Sequence, residues 1–361
     1  MNDEFLDYYF RELKFIREMG AEFASAHPQE AGQLLLDAQR CEDPHVERLL
    51  EGFAFLTARI RKKIDDEYPE ITDALLSVLY PHYQRPIPSV TMVQFMAGSD
   101  PTRLVAGHEI PQGTALASKP IDGVPCRFRT VYPTSLWPVS VTSASLIPDR
   151  VVIADKPAGS VSLLKLELKC SSPGEWPSLD RFSSLRFYLD GGDPIPSTLY
   201  ESLFNHLCGF WLRGKTADGR EKTVPLPVGL VQPVGFSDSE ALLPYPPTSF
   251  PGYRLIQEFF AFPDKFLFVE VHGLDQIARA GFVGPVELLF FLDQPPRTEV
   301  VIRADSFLLG CTPAVNLFQK LSEPIPISHK LTEYAIIPDV NHPLAFEVFS
   351  VDRVLSAGSY L

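Results

Sequence analysis

Cysteine, methionine and tryptophan are scarce in this 361-residue chain, at five, four and three. The five cysteines (Cys41, Cys126, Cys170, Cys208, Cys311) are odd in number and widely scattered, which favours reduced thiols over a disulfide framework. Long apolar runs are missing as well. The best, Phe266–Val271 and Leu288–Leu292, fall far short of the ~20 residues a spanning helix needs, so direct membrane insertion is not expected. Asp3, Glu4 and Asp7 stand where a signal peptide would need a basic region and an apolar run. Positive charge is in deficit too. A net charge of −13 argues against a protein that binds nucleic acid by neutralising phosphates.

What is present in excess is proline, 34 residues, roughly twice ordinary usage. It is spread along the chain and so marks many loops and strand ends. The 26 phenylalanines supply large apolar surface for cores or interfaces. With 45% hydrophobic and 21% charged residues, the composition is that of a globular chain with two or three domains.

The stretch from Cys41 to Phe95 organises the rest. Asp43 can cap a helix, and Pro44 suits its first position because no partner awaits an N–H there. Val46, Leu49, Leu50, Phe53, Leu56, Ile60 and Ile64 follow at helical spacing. Arg59, Arg61, Lys62 and Lys63 are expected to crowd the last turns, at the negative end of the helix dipole. A second helix is expected to begin near Pro69, carrying Ile71, Leu75, Val78 and Leu79. Pro81, Pro86 and Pro88 then end helix formation, and Val90, Met92 and Phe95 read as a first strand. Upstream, residues 3–26 form an amphipathic helix with Phe5, Tyr9, Leu13, Ile16 and Phe23 on one face, stopped before His27–Pro28.

From Val90 the period changes to that of strands. Val139–Ile147, Val161–Lys169, Leu185–Leu189, Lys265–Val271, Val286–Leu292 and Thr332–Ile337 alternate or form compact apolar runs between turn formers. Helices are expected at Thr198–Leu207 and Tyr253–Phe260. The passage LLPYPPTSFPGY, Leu242 to Tyr253, reads as a boundary. The closing AFEVFSVDRV reads as a strand. The reading is α+β: an N-terminal helical unit (1–88), a mainly antiparallel β-sandwich or barrel-like domain with an inserted helix (89–240), and a second α+β domain (241–361).

Several short patterns could carry chemistry. GFWLRGKT, Gly209 to Thr216, matches the P-loop letters, but its residues are bulky and a turn and strand follow, which favours a structural strand. Cys41 with His45, and His206 with Cys208, have ligand-like spacing but fall in different domains, and a structural zinc site needs four converging donors. Asp65, Asp66 and Glu67 are adjacent on a helix and diverge, so a solvated face is the better reading. Phe259, Phe260, Phe262, Phe266 and Phe268 form either core or an aromatic-rich interface. No catalytic residue, metal or cofactor is assigned.

The strings FLDYYFRELKFIREMGAEFASAHPQEAGQL, CEDPHVERLLEGFAFLTARI, IDDEYPEIT and LLSVLYPHYQRPIPS resemble the TssF family (also called ImpG or VasA), baseplate subunits of the bacterial type VI secretion system. The likeness returns at Ser249–Val271 (SFPGYRLIQEFFAFPDKFLFVEV), at Leu309–Phe318 (LGCTPAVNLF), at HKLTEYAIIPDV and at AFEVFSVDRV; it is weaker between Leu104 and Leu243. The resemblance implies a non-enzymatic wedge subunit in the cytoplasm, docked at the inner membrane through other components. It implies TssG, a second TssF copy, TssK, TssE and the VgrG spike as partners. Family members usually run on beyond this end point, so a missing C-terminal part is expected. Interface candidates are Phe5, Tyr9, Phe53, Phe55, Tyr253, Arg254, Phe259 and Phe260. The competing reading is a hydrolase or a ligand-binding β-sandwich module, for which Trp137, Trp176 and Trp211 would form an exposed platform.

Overall fold

A computed structural model describes residues 3–33, 43–96, 107–121, 123–148, 156–171, 176–177, 182–247, 249–296, 298, 300–328, 330 and 333–355. The chain divides into two compact units, Met1–Arg85 and Pro86–Leu361.

The first unit holds α1 (Asp3–Ala26), α2 (Pro28–Gln33) and α3 (Pro44–Leu79), followed by a 3₁₀ turn at Pro81–Tyr83. Asp43 caps α3 as its sequence demands: its Oδ1 accepts from the His45 N–H at 2.8 Å, with Pro44 in the first turn. The expected break near Pro69 does not occur. Proline's φ is helical, and its missing N–H costs one rung in a 36-residue helix, so α3 runs through. The basic run therefore sits mid-helix and not at a dipole end. Lys62 lies 3.1 Å from Asp66 and 3.3 Å from Glu4, and Arg61 lies 3.9 Å from Asp65. The helix stops where Pro81 forbids another turn.

Helices α1 and α3 are antiparallel, with Arg17 on Glu47 at one end and Lys62 on Glu4 at the other. Their seam buries Leu13, Ala54 and Ala58. The two alanines, four residues apart, lie on one face and let the backbones approach closely. Tyr8 adds a hydrogen bond to Asp65 at 3.1 Å.

The second unit is built from strands. In chain order they are β1 (Val90–Gln94), β2 (His108–Ile110), β3 (Ala115–Ile121), β4 (Val124–Thr130), β5 (Thr134–Leu136), β6 (Val139–Pro148), β7 (Ser162–Cys170) and β8 (Ser184–Leu189). After α4 (Ile195–Asn205) come β9 (Leu207–Thr216), β10 (Glu221–Leu226) and β11 (Val231–Pro233). Then follow α5 (Pro251–Ala261), β12 (Phe268–His272), α6 (Asp275–Arg279), β13 (Phe282–Leu292), β14 (Phe307–Leu309) and β15 (Cys311–Val315).

The pairings within sheets are antiparallel, and three sheets stack. A five-stranded sheet ordered β10-β9-β13-β7-β6 packs its inner face on a four-stranded sheet ordered β11-β12-β8-β14. Period-two alternation makes this core: Leu164, Leu166 and Leu168 of β7, Phe210 and Leu212 of β9, and Leu288 and Phe290 of β13 meet Leu185 and Phe187 of β8 and Val269 and Val271 of β12. The other face of the four-stranded sheet carries Tyr188 and Phe268. They bury against Tyr132, Val234, Leu242 and the sheet β1-β15-β4-β3.

These pairings cross the expected boundary at residue 240. Strand β13 lies between β7 and β9, and β12 between β8 and β11, so strands from both sides share each sheet. The proline-rich passage before Tyr253 is an excursion within one unit. Two expected strands also fail to form: residues 333–337 and 345–354 make no ladder, because a strand pattern needs a neighbour to pair with (332 lies outside the described residues).

The P-loop-like segment is part of β9, hydrogen-bonded on both sides to β10 and β13. Its glycines serve packing: a Cβ on Gly209 would stand 2.4 Å from Pro157 Cγ, and one on Gly214 2.9 Å from the Phe282 ring. Gly209→Ala should therefore lower stability by about 1–3 kcal/mol through overpacking. Gly229→Ala, which meets nothing within 4 Å, should stay within about 0.5 kcal/mol. Urea denaturation of the two variants side by side checks this.

Candidate functional site

Helix α5 is amphipathic in the reverse sense to an ordinary surface helix. Phe250 precedes it, Pro251 opens it, and the Phe262–Pro263 step closes it. Arg254 and Glu258, one turn apart, point inward and are 2% and 1% exposed. Tyr253, Ile256 and Phe260 occupy the outward face, with Phe259 beside them; Phe260 is 81% exposed.

The inward charges are held by a polar network in which, among the described residues, only the Arg254 Nε lacks a hydrogen-bond partner. Lys265, 0% exposed, donates to the Gly235 carbonyl at 2.9 Å and to the Glu258 carboxylate. The other Glu258 oxygen accepts from the Leu242 N–H at 2.7 Å. Arg254 donates to the carbonyls of Ser237 (3.1 Å) and Phe236 (3.0 Å) and sits 3.3 Å from Asp238. Glu240 accepts from the Gly235 N–H at 2.8 Å, and Tyr132 donates to the Lys265 carbonyl at 3.0 Å. Gly235 has φ +103°, and a Cβ there would stand 2.9 Å from the Tyr132 hydroxyl, so both conformation and space call for glycine. Burial pushes the Lys265 ammonium below its ordinary value, and Glu258 opposes that shift. Burial likewise pushes the Tyr132 phenol up.

A buried ion without a partner is costly; here each finds an opposite charge and main-chain bonds. The network pins α5 so that its aromatic face can only point outward. Arg254, expected at a partner interface, is instead an internal staple. The five-phenylalanine cluster divides the same way. Phe266 and Phe268 are core, while Phe259 and Phe260 are surface. The outer rings Phe236, Phe259 and Phe260 connect through the buried Phe266, and Phe250 with Tyr253 forms a second group, with neighbouring centroids 5.1–6.1 Å apart.

The helical unit carries a second apolar face. Leu49, Phe53, Leu56, Ile60, Ile64, Ile71, Leu75 and Val78 of α3 all stand exposed, Phe53 at 65%. At 100° per residue they fall in one stripe running the length of the helix. Phe55 lies off it: its ring meets Phe5 edge-on, centroids 5.4 Å apart, between the helices. Tyr9 is half-buried against Phe10.

The remaining chemical candidates dissolve into structure. His206 faces Asp293 at 3.2 Å, whereas the Cys208 thiol donates to the Phe291 carbonyl at 3.3 Å. Among the described residues no three His, Cys, Asp or Glu side chains are placed to hold a metal ion, and Cys41 lies outside them. Burial pushes the Cys311 thiol up to about 12, far from a nucleophile's range. Trp176 donates to the Gly284 carbonyl at 3.0 Å, Trp137 packs edge-on to Phe182, and Trp211 packs edge-on to Phe291, so the three share no platform. Among the described residues no helix is long and apolar enough to cross a membrane.

Charges locked within and aromatic rings presented without give α5 an exposed apolar face of the kind found at protein contact surfaces. The chain belongs to the TssF family of type VI secretion proteins: the family described as "Type VI secretion system, TssF" matches residues 1–360. The type VI secretion system component TssF1 of Pseudomonas aeruginosa is 39% identical over 368 residues, covering 99% of this chain and 58% of its own. A chain of the TssK-TssF-TssG baseplate subcomplex, determined by cryo-electron microscopy, is similar with a TM-score of 0.66 and 30% identity. That match covers 84% of this chain and 55% of the other. The chain thus spans a little over half the length of the relatives it matches.

Proposed function

We propose that this chain is a structural subunit of a type VI secretion baseplate, acting by burying apolar faces against neighbouring subunits. The observation that carries the reading is the reversed amphipathicity of α5, whose polar side is sealed and whose aromatic side is bare. The stripe on α3 supports it. In the longer relatives' setting the neighbours would be TssG and TssK, after the solved subcomplex. A second copy of the chain, TssE and the VgrG spike are the further partners the reading assigns. The assembly would sit in the cytoplasm and meet the inner membrane through other components.

The test is co-purification of the chain with TssG and TssK from the same organism, wild type against two surface variants. Ile256→Asp with Phe260→Asp strikes α5; Phe53→Asp with Ile60→Asp strikes α3. Each pair should leave the melting temperature of the free chain within a few degrees, since the side chains are exposed. At least one should weaken capture about tenfold or more, as a buried aromatic anchor would. Full capture by both variants would refute the reading.

A further inference from the structure

A groove of about 510 Å³ opens within the second unit, and no residue of α5 is among those that line it. Its size falls in the roughly 300–1,000 Å³ range of ligand sites. It is lined by Val139–Val141 of β6, by the segment from Ala304 through β14, and by Ser184, Arg186 and Glu270, with Leu136, Trp137 and Phe95 supplying apolar surface.

Among the described residues, strand β6 is the end strand of its five-stranded sheet. The Ser171 N–H bonds to the Pro138 carbonyl at 2.7 Å, which makes Val139 opposite Cys170 a non-hydrogen-bonded pair. Ser140 therefore turns its main-chain groups toward β7. Val139 and Val141 turn theirs away from the sheet, at the groove. Strands β1 and β14, whose residues also line it, are the ends of their own sheets. An open edge of this kind is a template for another strand.

The charge of the lining selects the strand. Glu109, Glu270 and Asp305 face a single cation, Arg186. Glu270 is fixed by Arg186 at 2.7 Å and by the Ser184 hydroxyl at 2.9 Å. Burial alone would raise its pKa, but Arg186 and the Ser184 hydroxyl, with His272, together hold it below the usual carboxylate range. Glu109 and Asp305 are exposed at the rim. A basic side chain is complementary here and an acidic one is repelled.

We infer that the groove receives an extended segment of a partner protein, paired to the β6 edge at Val139 and Val141, with a Lys or Arg side chain set among Glu109, Glu270 and Asp305. This occupant differs from the apolar faces of α3 and α5, so its failure would leave the baseplate reading standing.

The probe is the peptide acetyl-Val-Arg-Val-Lys-Val-amide titrated into the purified 361-residue chain, followed by calorimetry and by Trp137 fluorescence, with Trp137→Phe as the control. Acetyl-Val-Glu-Val-Glu-Val-amide should bind at least about tenfold more weakly, and raised salt should narrow the gap. Glu109→Gln with Asp305→Asn, both exposed positions that leave the fold intact, should weaken the basic peptide about tenfold. A basic peptide N-methylated at alternate amides, which cannot join a ladder, should not bind. The inference is overturned if the basic peptide shows no binding at millimolar concentration, if the acidic peptide binds equally, or if N-methylation changes nothing.

Discussion

Lys265→Met is expected to lower the stability of the second unit by about 3–5 kcal/mol, the cost of stranding a buried carboxylate without its counter-ion. Glu258 would keep only the Leu242 N–H, in a site where neither it nor Lys265 reaches water. The double variant Glu258→Gln/Lys265→Met should recover a large part of that loss. The glutamine can still accept from Leu242, and the only inward charge left is Arg254, which keeps Asp238 and two main-chain carbonyls. Urea denaturation of the single and double variants, followed by far-ultraviolet circular dichroism, measures both. Equal loss in the two would mean that packing of the lysine stem matters more than its charge. Because the network orients α5, Lys265→Met should also impair capture of partners through Ile256 and Phe260, while those two side chains remain chemically intact.

Phe290→Ala should cost about 3–5 kcal/mol. The ring lies at the centre of the inner core, stacked on Phe210 with centroids 5.0 Å apart and planes 11° apart. Neighbouring strands hydrogen-bond β13 on both sides, so the cavity cannot close by moving the strand. Phe260→Ala removes the same side chain from the surface and should stay within about 0.5 kcal/mol. The pair separates the two uses of phenylalanine in one chain. Phe290→Ala should lower the melting temperature with little effect on partner capture below it, and Phe260→Ala should do the reverse. Thermal melts and co-purification at a temperature where both variants are folded decide it.

Helix stops were legible because their causes lie within one turn. α1 ends at Ala26 before His27–Pro28, α3 begins at the Asp43–Pro44 cap, and it ends at Leu79 before Pro81. Pro69 misled for a related reason. A proline inside a helix removes one hydrogen bond, and a long helix with a continuous apolar stripe tolerates that loss. The strands around Leu164–Leu168 and Leu185–Leu189 showed in their alternation, yet nothing local told that β13 would separate β7 from β9. The strand-like end, 345–354, shows the same limit from the other side: alternation supplies a face but no partner.

The exposed face of α5 was half legible. Phe259 and Phe260 stood out as aromatic, and the choice between core and surface stayed open because helical spacing fits both. It was settled by groups outside the helix: the Leu242 N–H and the Lys265 ammonium, itself held by the Gly235 carbonyl, draw Glu258 inward. By itself the sequence determined the end of α1, the start and stop of α3, the alternation of the core strands and the family, since caps, prolines and period act over a few residues. The tertiary structure alone decided strand order, the single second unit and which side of α5 meets solvent. Those depend on hydrogen bonds and ion pairs between segments that only folding brings together.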